Sequence, residues 1–578
     1  MKKFFEKHTV AKLVGILFFI AIVLSWIIPY SAFQGAELMK TEKANVGLSD
    51  ITTIFSTSIS FIIDKIVYLV ALGGFYAVIS KTNGYKKIVS GIVKKLKGKE
   101  VLSTIIVSIV IAILSSFMTQ SFVVILFIPF FITILRNLGM NKITTFAATF
   151  GAMLVGILGA TYGYEGLITF DAYFSQTLSN SSAMKMTLGY RSIILLIALA
   201  LYNFFIYFAA KKSIASKSKK EKIEDEYLIE EVKGKGIKTF PMIIILVVAL
   251  LFAILGYIDW AGTFKLNIFN DFHNWLTGLK VGKDFTIMSY ILGRDVTAFG
   301  TWNLYNISFV LVFLSALTAL LYSIKFDDFF TAFGEGVKRL LKPMGVLIAV
   351  YAIFVATYMT GITPKIADDI MHVKAVPEYN IDYNGSQVAF FNIDVDDDKK
   401  ADTNLINQDV DKDGKCDFNC DTNKDGYPDE KLDFDGNGKI DATDESIEKQ
   451  LQGGVSTLNQ DVDGDGVADI NVSDNFNLVK LTIGSVIVDI FNNDLGYSGY
   501  SMSGYLLANY GATQTKLVFL VFVTIFGLLQ FFIPSSIILT FGLTYSDVSI
   551  CDWYKYAWRF ILGMLCVILL IFIFILII

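Results

Sequence analysis

Histidine occurs three times in 578 residues and cysteine four times, and neither is grouped in the spacing that holds zinc. A phosphate loop, a nucleophile elbow and a His-Glu-x-x-His helix are all missing, which removes the usual signatures of nucleotide hydrolysis, serine hydrolysis and zinc proteolysis. Charged residues make up only 18% of the chain, and a catalytic centre inside an apolar bundle would need them there. The chain is read as a non-enzyme, with no nucleic-acid partner expected.

What the sequence does have is apolar length. Hydrophobic residues fill 54% of positions, 49 of them Phe, and they fall in runs near the roughly 20 residues that cross a bilayer as a helix. The runs lie at 10–30, 58–80, 101–135, 144–167, 192–210, 241–258, 307–323, 344–363, 516–543 and 556–578. The first follows a short basic leader (Lys2, Lys3, Lys7) but closes on no clean small-x-small cleavage site, so a retained helix is expected.

The basic connections set an orientation. Segments 81–99, 136–142, 211–238 and 325–342 all carry Lys or Arg and belong on the cytoplasmic side, with the N-terminus, of a multi-pass plasma-membrane protein. For 81–99 and 136–142 to share a side, the run 101–135 must enter and return. Its polar middle, Ser115, Ser116, Thr119, Gln120 and Ser121, then lies at depth. A second break, Pro534-Ser535-Ser536, sits in the run 516–543 and would enter from the opposite face. Stretch 84–97 precedes the first break and 478–493 the second, so the expectation is an inverted repeat with one broken hairpin in each half.

Broken helices in lipid are tolerated where they line a polar cavity, and a half-helix N-terminus turns free N–H groups toward an anion. That points to a secondary transporter, with Ser115, Ser116, Thr119, Gln120, Ser121, Gly159, Thr161, Pro534, Ser535 and Ser536 as candidate substrate ligands. Small polar residues also serve as plain packing contacts between helices. The glycine-rich stretch 156–166, with Glu165 beside it, reads as unwound; Asp64 and Lys65 read as the interfacial start of a helix, and Asp489, Thr524 and Gln530 as interhelical glue.

The stretch Ala71-Leu72-Gly73-Gly74-Phe75-Tyr76-Ala77-Val78-Ile79-Ser80-Lys81-Thr82-Asn83-Gly84, the basic arm after it, Gly159-Ala160-Thr161, Ile533-Pro534-Ser535-Ser536 and Trp553-Tyr554-Lys555-Tyr556 carry a likeness. Together they resemble the four-carbon dicarboxylate anaerobic carrier and basic amino acid antiporter branch of the ion transporter superfamily. The resemblance implies a carrier of dicarboxylates, amino acids or related metabolites, with substrate and coupling ion (sodium or protons) at the hairpin tips. The chain departs from the family at Ser535-Ser536-Ile537-Ile538, where a Ser-Gly-Ser-Gly run is usual, and at Gly163-Tyr164-Glu165, where Asn-Pro-Phe is often found.

A second module interrupts the first. Residues 364–474 hold 28 acidic and 10 basic residues, a net charge of −18, against +14 for the remainder. Within it, hard oxygen ligands alternate around a glycine turn: Asp409, Asp411, Asp413 and Asp417; Asp421, Asn423, Asp425 and Asp429; Asp461, Asp463, Asp465 and Asp469. A fourth loop, Asp433, Asp435, Asn437 and Asp441, adds Asp444 at the twelfth position, which closes an EF-hand-type shell. These loops resemble thrombospondin type 3 and dockerin calcium repeats; a disordered acidic tract is the simpler alternative. Cys416 and Cys420 lie among them and are placed to form a disulfide if the segment is extracellular.

The expected architecture is thus an all-α polytopic membrane protein of inverted repeats with two re-entrant or broken hairpins. Residues 1–363 and 476–578 form the transport domain, and a loop-rich extracellular calcium-binding insert occupies 364–475. Its partners are a small-molecule substrate and membrane lipid, with a homodimer among the assemblies open to it. The alternative is a membrane-anchored, calcium-dependent adhesion or sensing protein on a carrier scaffold, and a channel comes third.

Overall fold

The computed structural model describes residues 10–28, 30–34, 37–40, 45–176, 182–216, 227–229, 237–281, 285–293, 296–371, 379–383, 386–390, 412–417, 420, 422, 439, 477–510 and 515–577. Nine helices among the described residues are long and apolar enough to cross a membrane.

Helix α1 (Val10–Ile27) is followed by a hairpin of β1 (Ser31–Gln34) and β2 (Glu37–Lys40). Helix α2 (Leu48–Lys81) then runs 34 residues. Thr82 ends it in extended backbone and caps α3 (Asn83–Leu96), its hydroxyl accepting the Tyr85 amide at 3.2 Å. The amphipathic α3 leads to α4 (Glu100–Phe117), and after a short break the chain returns as α5 (Ser121–Leu138), whose first seven residues form a buried 3-10 stretch. Helix α6 (Lys142–Leu158) stops at Gly159 and the chain resumes as α7 (Glu165–Gln176). Helix α8 (Leu188–Ser216) closes this half.

Helix α9 (Phe240–Tyr257), the short elements α10 (Ile268–Thr277), β3 (Lys280–Val281), β4 (Phe285–Thr286) and α11 (Ile287–Leu292), and helix α12 (Leu304–Leu321) form the connection. The second half opens on α13 (Phe326–Thr360), 35 residues long, and on the short α14 (Ile362–Met371). Strands β5 (Tyr379–Tyr383) and β6 (Ser386–Phe390) pair as a hairpin. Then come α15 (Leu478–Phe491), α16 (Leu495–Tyr510), α17 (Thr515–Leu529), α18 (Ile537–Tyr545) and α19 (Ile550–Ile577).

Element order therefore recurs. A long helix, a short amphipathic helix, a two-armed broken segment, a second broken segment and a long closing helix run from α2 to α8, and again from α13 to α19. This revises the expected pairing of breaks. Each half has two, and Phe531 to Ser536 matches the glycine-rich interruption after α6 by order; the partner of the Ser116 break is 492–494, between α15 and α16. The stretch 478–493 is accordingly the first arm of the second hairpin (Leu478–Phe491) with the start of its tip, and not a helix leading to it. Hydropathy concealed that break because it is only three residues long.

The two long helices cross where neither has a side chain. A Cβ on Gly73 of α2 would lie 2.7 Å from the Gly336 carbonyl oxygen of α13, and one on Gly336 would strike the Gly73 backbone. In lipid, where apolar burial favours no helix pairing over lipid contact, such close approach supplies the dispersion contact. The same crossing locates Lys65. The expectation of an interfacial start fails, because Lys65 lies midway along α2 with its side chain 14% exposed.

Basic segments gather at one end of the bundle. Lys81 meets Glu335 at 3.0 Å, Lys142 meets Asp547 at 2.8 Å, the Tyr322 hydroxyl donates to the Lys238 carbonyl at 2.5 Å, and the Asn137 amide to that of Tyr227 at 2.8 Å. Gly361, just past the far end of α13, accepts the Ser31 amide at 3.3 Å. Phe33 stacks on Tyr505 at 4.1 Å between centroids, also at that opposite end.

Candidate functional site

The breaks of the first half are stitched to each other. Ser116 Oγ donates to the Gly159 carbonyl at 3.0 Å and accepts the Thr161 amide at 3.1 Å, while Thr161 Oγ1 donates to the Ser116 carbonyl at 3.2 Å. That carbonyl also accepts the Gly163 amide at 2.9 Å, and Met118 accepts the amide of Tyr164 at 2.8 Å. A Cβ on Gly163 would overlap the Phe117 and Met118 backbone. Tyr164 adopts φ +79°, a conformation costly for a bulky side chain. Ser115 Oγ donates to the Met153 carbonyl at 3.1 Å and Thr119 Oγ1 to that of Tyr257 at 3.2 Å.

Arg191 secures the α6 side of the break. Fully buried, its guanidinium donates to the carbonyls of Ala160, Thr161 and Met184, and its Nε to Thr187 Oγ1 at 3.2 Å. The C-terminal end of a half-helix leaves such carbonyls without amide partners, and a fixed cation satisfies them.

In the second half Ser535 Oγ donates to the Ile490 carbonyl at 2.7 Å, which ties the fourth break to the end of α15. Ser536 caps α18 by accepting the Leu539 amide at 3.3 Å. Pro534 brings no N–H to this turn. Trp553 Nε1 donates to the Phe531 carbonyl at 2.8 Å, and the Tyr554 hydroxyl to that of Phe532 at 2.5 Å.

Each hairpin's returning arm begins at a carboxylate. Glu165 Oε2 accepts the Ser121 amide at 2.7 Å and Oε1 the Ser121 hydroxyl at 3.2 Å, at the start of α5. Asp494 Oδ1 accepts the amides of Gly496 at 2.9 Å and Tyr497 at 3.3 Å, at the start of α16. Lys65 interacts electrostatically with both, as well as with Asp64 and the Tyr351 phenol of α13. Its ammonium lies 3.6 Å from Asp64 and 5.8 Å from the Tyr351 ring centroid. Lys65, midway along α2, thus lies within electrostatic reach of the carboxylates at both hairpin tips.

The sequence-derived ligands divide accordingly. Ser116, Gly159 and Thr161 are brought together, Ser121 joins Glu165, and Ser535 reaches α15. The hydroxyls of Ser115, Ser116, Thr161, Ser535 and Ser536 bond to backbone, whereas the half-buried Gln120 side chain has no hydrogen-bond partner among the described residues. Tyr351 and Asp494 are not marked by the sequence, and Lys65 reads there as interfacial. A lysine in an apolar run of that length was the available signal, because a charge at that depth is retained only with partners.

A cavity of about 440 Å³ opens at the basic end between α2, α5 and α13, lined by Tyr76, Lys81, Tyr227, Glu335, Arg339 and Tyr545. Of the residues expected from the sequence to bind calcium, Asp413 and Asp417 are described; Asp409, Asp411, Asp421, Asn423, Asp425, Asp429, Asp433, Asp435, Asn437, Asp441, Asp444, Asp461, Asp463, Asp465 and Asp469 lie outside the described residues. Around Asp413 the chain turns through positive φ at Lys412 (+61°) and Gly414 (+85°), Asp413 Oδ1 accepts the Lys415 amide at 2.8 Å, and Cys416 is disulfide-bonded to Cys420.

An uncharacterized protein of Haemophilus influenzae is 23% identical over 203 residues, which cover 35% of this chain and only 38% of that relative. Among solved structures, the YdaH transporter of Alcanivorax borkumensis overlays with a TM-score of 0.37 at 10% identity, covering 98% of both chains. MtrF of Neisseria gonorrhoeae, described with a class of antimetabolite efflux pumps, overlays at 0.34 and 12% identity, covering 98% of this chain and 94% of that one. Overlays this loose carry no weight for fold or substrate. The family model for the C4-dicarboxylate anaerobic carrier, DcuC, matches residues 7–376, from α1 to just beyond α14. The chain belongs to the C4-dicarboxylate anaerobic carrier family.

Proposed function

We propose that the protein is a secondary active transporter of small organic anions, dicarboxylates or amino acids, and that Lys65 is the group that answers the substrate carboxylate. What supports this reading is the position of Lys65: a buried ammonium midway along α2, 3.6 Å from Asp64 and within electrostatic reach of the carboxylates that cap both returning arms. In inverted-repeat carriers the site lies near the midplane where such half-helices meet, and movement of one repeat against the other exposes it alternately. The recurring element order from α2 to α8 and from α13 to α19 is what that plan requires. On this reading the basic end is cytoplasmic, the cavity there is the inner vestibule, and the acidic insert is extracellular and binds calcium.

The ligand set favours a substrate with charge of both signs, or an anion that travels with a cation. Three carboxylates, Asp64 at 3.6 Å and Glu165 and Asp494 at longer range, act on one ammonium. A dicarboxylate entering alone would add to the negative excess. An amino acid, or a dicarboxylate accompanied by protons or sodium, would not.

The test is counterflow of labelled succinate into proteoliposomes, with a panel of amino acids as competitors. Wild type is expected to exchange label, and Lys65→Met to lose exchange while inserting and unfolding normally. Equal exchange by Lys65→Met removes the assignment. The net charge of −18 in the insert keeps one other reading in view, a calcium-dependent surface adhesion protein. Surface binding abolished by chelator, without counterflow, would select it.

A further inference from the structure

Asp489 lies in α15 two residues before its end, on the first arm of the second hairpin, and is fully buried. Its Oδ2 is 3.5 Å from the Ser485 hydroxyl, at the outer limit of a hydrogen bond, and its Oδ1 has no partner. At the two breaks of the same half, the Asn493 side-chain oxygen and the Gln530 amide nitrogen are also buried without partners. An unpaired carboxylate anion in such a place is strongly disfavoured against its neutral form.

Among the described residues no cation pairs with it, and none contributes to its electrostatic surroundings. Lys365 of α14 pairs with Asp369, and Lys516 at the start of α17 is exposed. On α13, Glu335 binds Lys81 at the far end, and Tyr351 faces Lys65. Asp368 of α14 interacts with Tyr505. The field of Asp489 reaches Tyr164, at the second break. Tyr164 also feels Glu165, Asp494 and Tyr351, so Asp489 adjoins the Lys65 cluster without belonging to it.

We propose that Asp489 carries a proton in this conformation and is the coupling-proton site of the carrier, an inference that rests on the transport reading above. When movement of the second hairpin admits water, the carboxyl O–H bond breaks, its electron pair stays on the carboxylate oxygen, and the proton leaves as hydronium. The reverse step on the other side reloads it. A proton so carried offsets one of the two charges that a dicarboxylate brings to three carboxylates and one ammonium. The Ser485 hydroxyl and a bare carboxyl oxygen suffice for a proton, whereas a sodium ion needs a shell of several oxygens.

The experiment is infrared difference spectroscopy of the full chain in liposomes, wild type minus Asp489→Asn, in sodium-free buffer. A protonated-carboxyl C=O band lost in Asp489→Asn and shifted in Asp489→Glu is expected; identical spectra for wild type and Asp489→Asn overturn the proposal. Disappearance of the wild-type band on adding sodium overturns it in favour of a sodium site. In the same liposomes an imposed pH gradient should drive labelled succinate accumulation in wild type, and Asp489→Asn should lose this accumulation relative to its own exchange. Undiminished accumulation overturns coupling through Asp489. Wild-type liposomes that exchange no succinate would remove the dicarboxylate reading and leave the infrared comparison to decide the proton.

Discussion

Glu165 opens α7, yet its carboxylate caps a different helix: Oε2 accepts the Ser121 amide of α5 at 2.7 Å. The anion position at the first hairpin's returning arm is therefore filled from within, by a residue that also faces Lys65. A hydrogen bond to a charged group contributes about 1.5–3 kcal/mol and a neutral one about 0.5–1.5. Glu165→Gln is thus expected to lower stability by about 1–2 kcal/mol. Glu165→Ala, which leaves the amide bare, should cost more. Thermal unfolding in detergent checks the order, and an alanine variant as stable as wild type removes the cap. Succinate counterflow should fall in both variants.

Arg191 supports the second break by charge and by shape. Its planar fork serves the carbonyls of Ala160, Thr161 and Met184 together, which a lysine ammonium, a single point donor on a flexible stem, reproduces poorly. Arg191→Lys is expected to fold with reduced stability, and Arg191→Leu, which strands buried carbonyls at about 1–3 kcal/mol each, to yield little monodisperse protein. Size-exclusion profiles of fluorescently tagged variants decide it; an Arg191→Leu profile matching wild type would contradict the role.

Much of this architecture was legible because lipid leaves few alternatives. Run length and the basic loops located the spans, and the polar residues at 115–121 disclosed that 101–135 turns back, since unpaired backbone at depth requires polar company. The gap at 492–494 was not legible: Asn492 and Asn493 sit between apolar arms of modest length, and nothing in periodicity separates a three-residue hairpin tip from a polar helical turn. Lys65 was misjudged for a related reason. Its adjacency to Asp64 suggested an interfacial pair, whereas its wider set of partners, Glu165, Asp494 and Tyr351, comes from segments 100 residues or more away in sequence. Residues such as Ser116 and Ser535 were found by composition, but which backbone each would bind depended on tertiary packing.

Sidedness follows from the recurring order if the halves are inverted. Lys87 on α3 lies with the basic end, whereas Lys480 opens α15, the arm following the acidic insert. In intact cells carrying a cysteine-free background, Lys480→Cys should react with a membrane-impermeant maleimide and Lys87→Cys only after permeabilisation. Labelling of both from one side would exclude opposed hairpins.

Calcium binding by the insert is the last expectation open to a direct test. With 28 acidic residues against 10 basic between 364 and 474, the calcium reading expects the carboxylates to repel one another until cations neutralise them. Extracellular calcium loops bind with dissociation constants of about 10⁻⁴ to 10⁻³ M. Calorimetric titration of the purified full chain should therefore saturate in the millimolar range, and added calcium should raise the unfolding temperature as a ligand of the native state does. Asp435→Ala removes one ligand of the most complete loop and should diminish the heat by about one site's share, in keeping with the count of loops. Because Asp435 is more than 50 residues away in sequence from Lys65 and from both hairpin tips, counterflow without calcium should be the same in Asp435→Ala and wild type. Titration heats and unfolding temperatures that millimolar calcium does not move would leave the repeats as a solvated acidic tract.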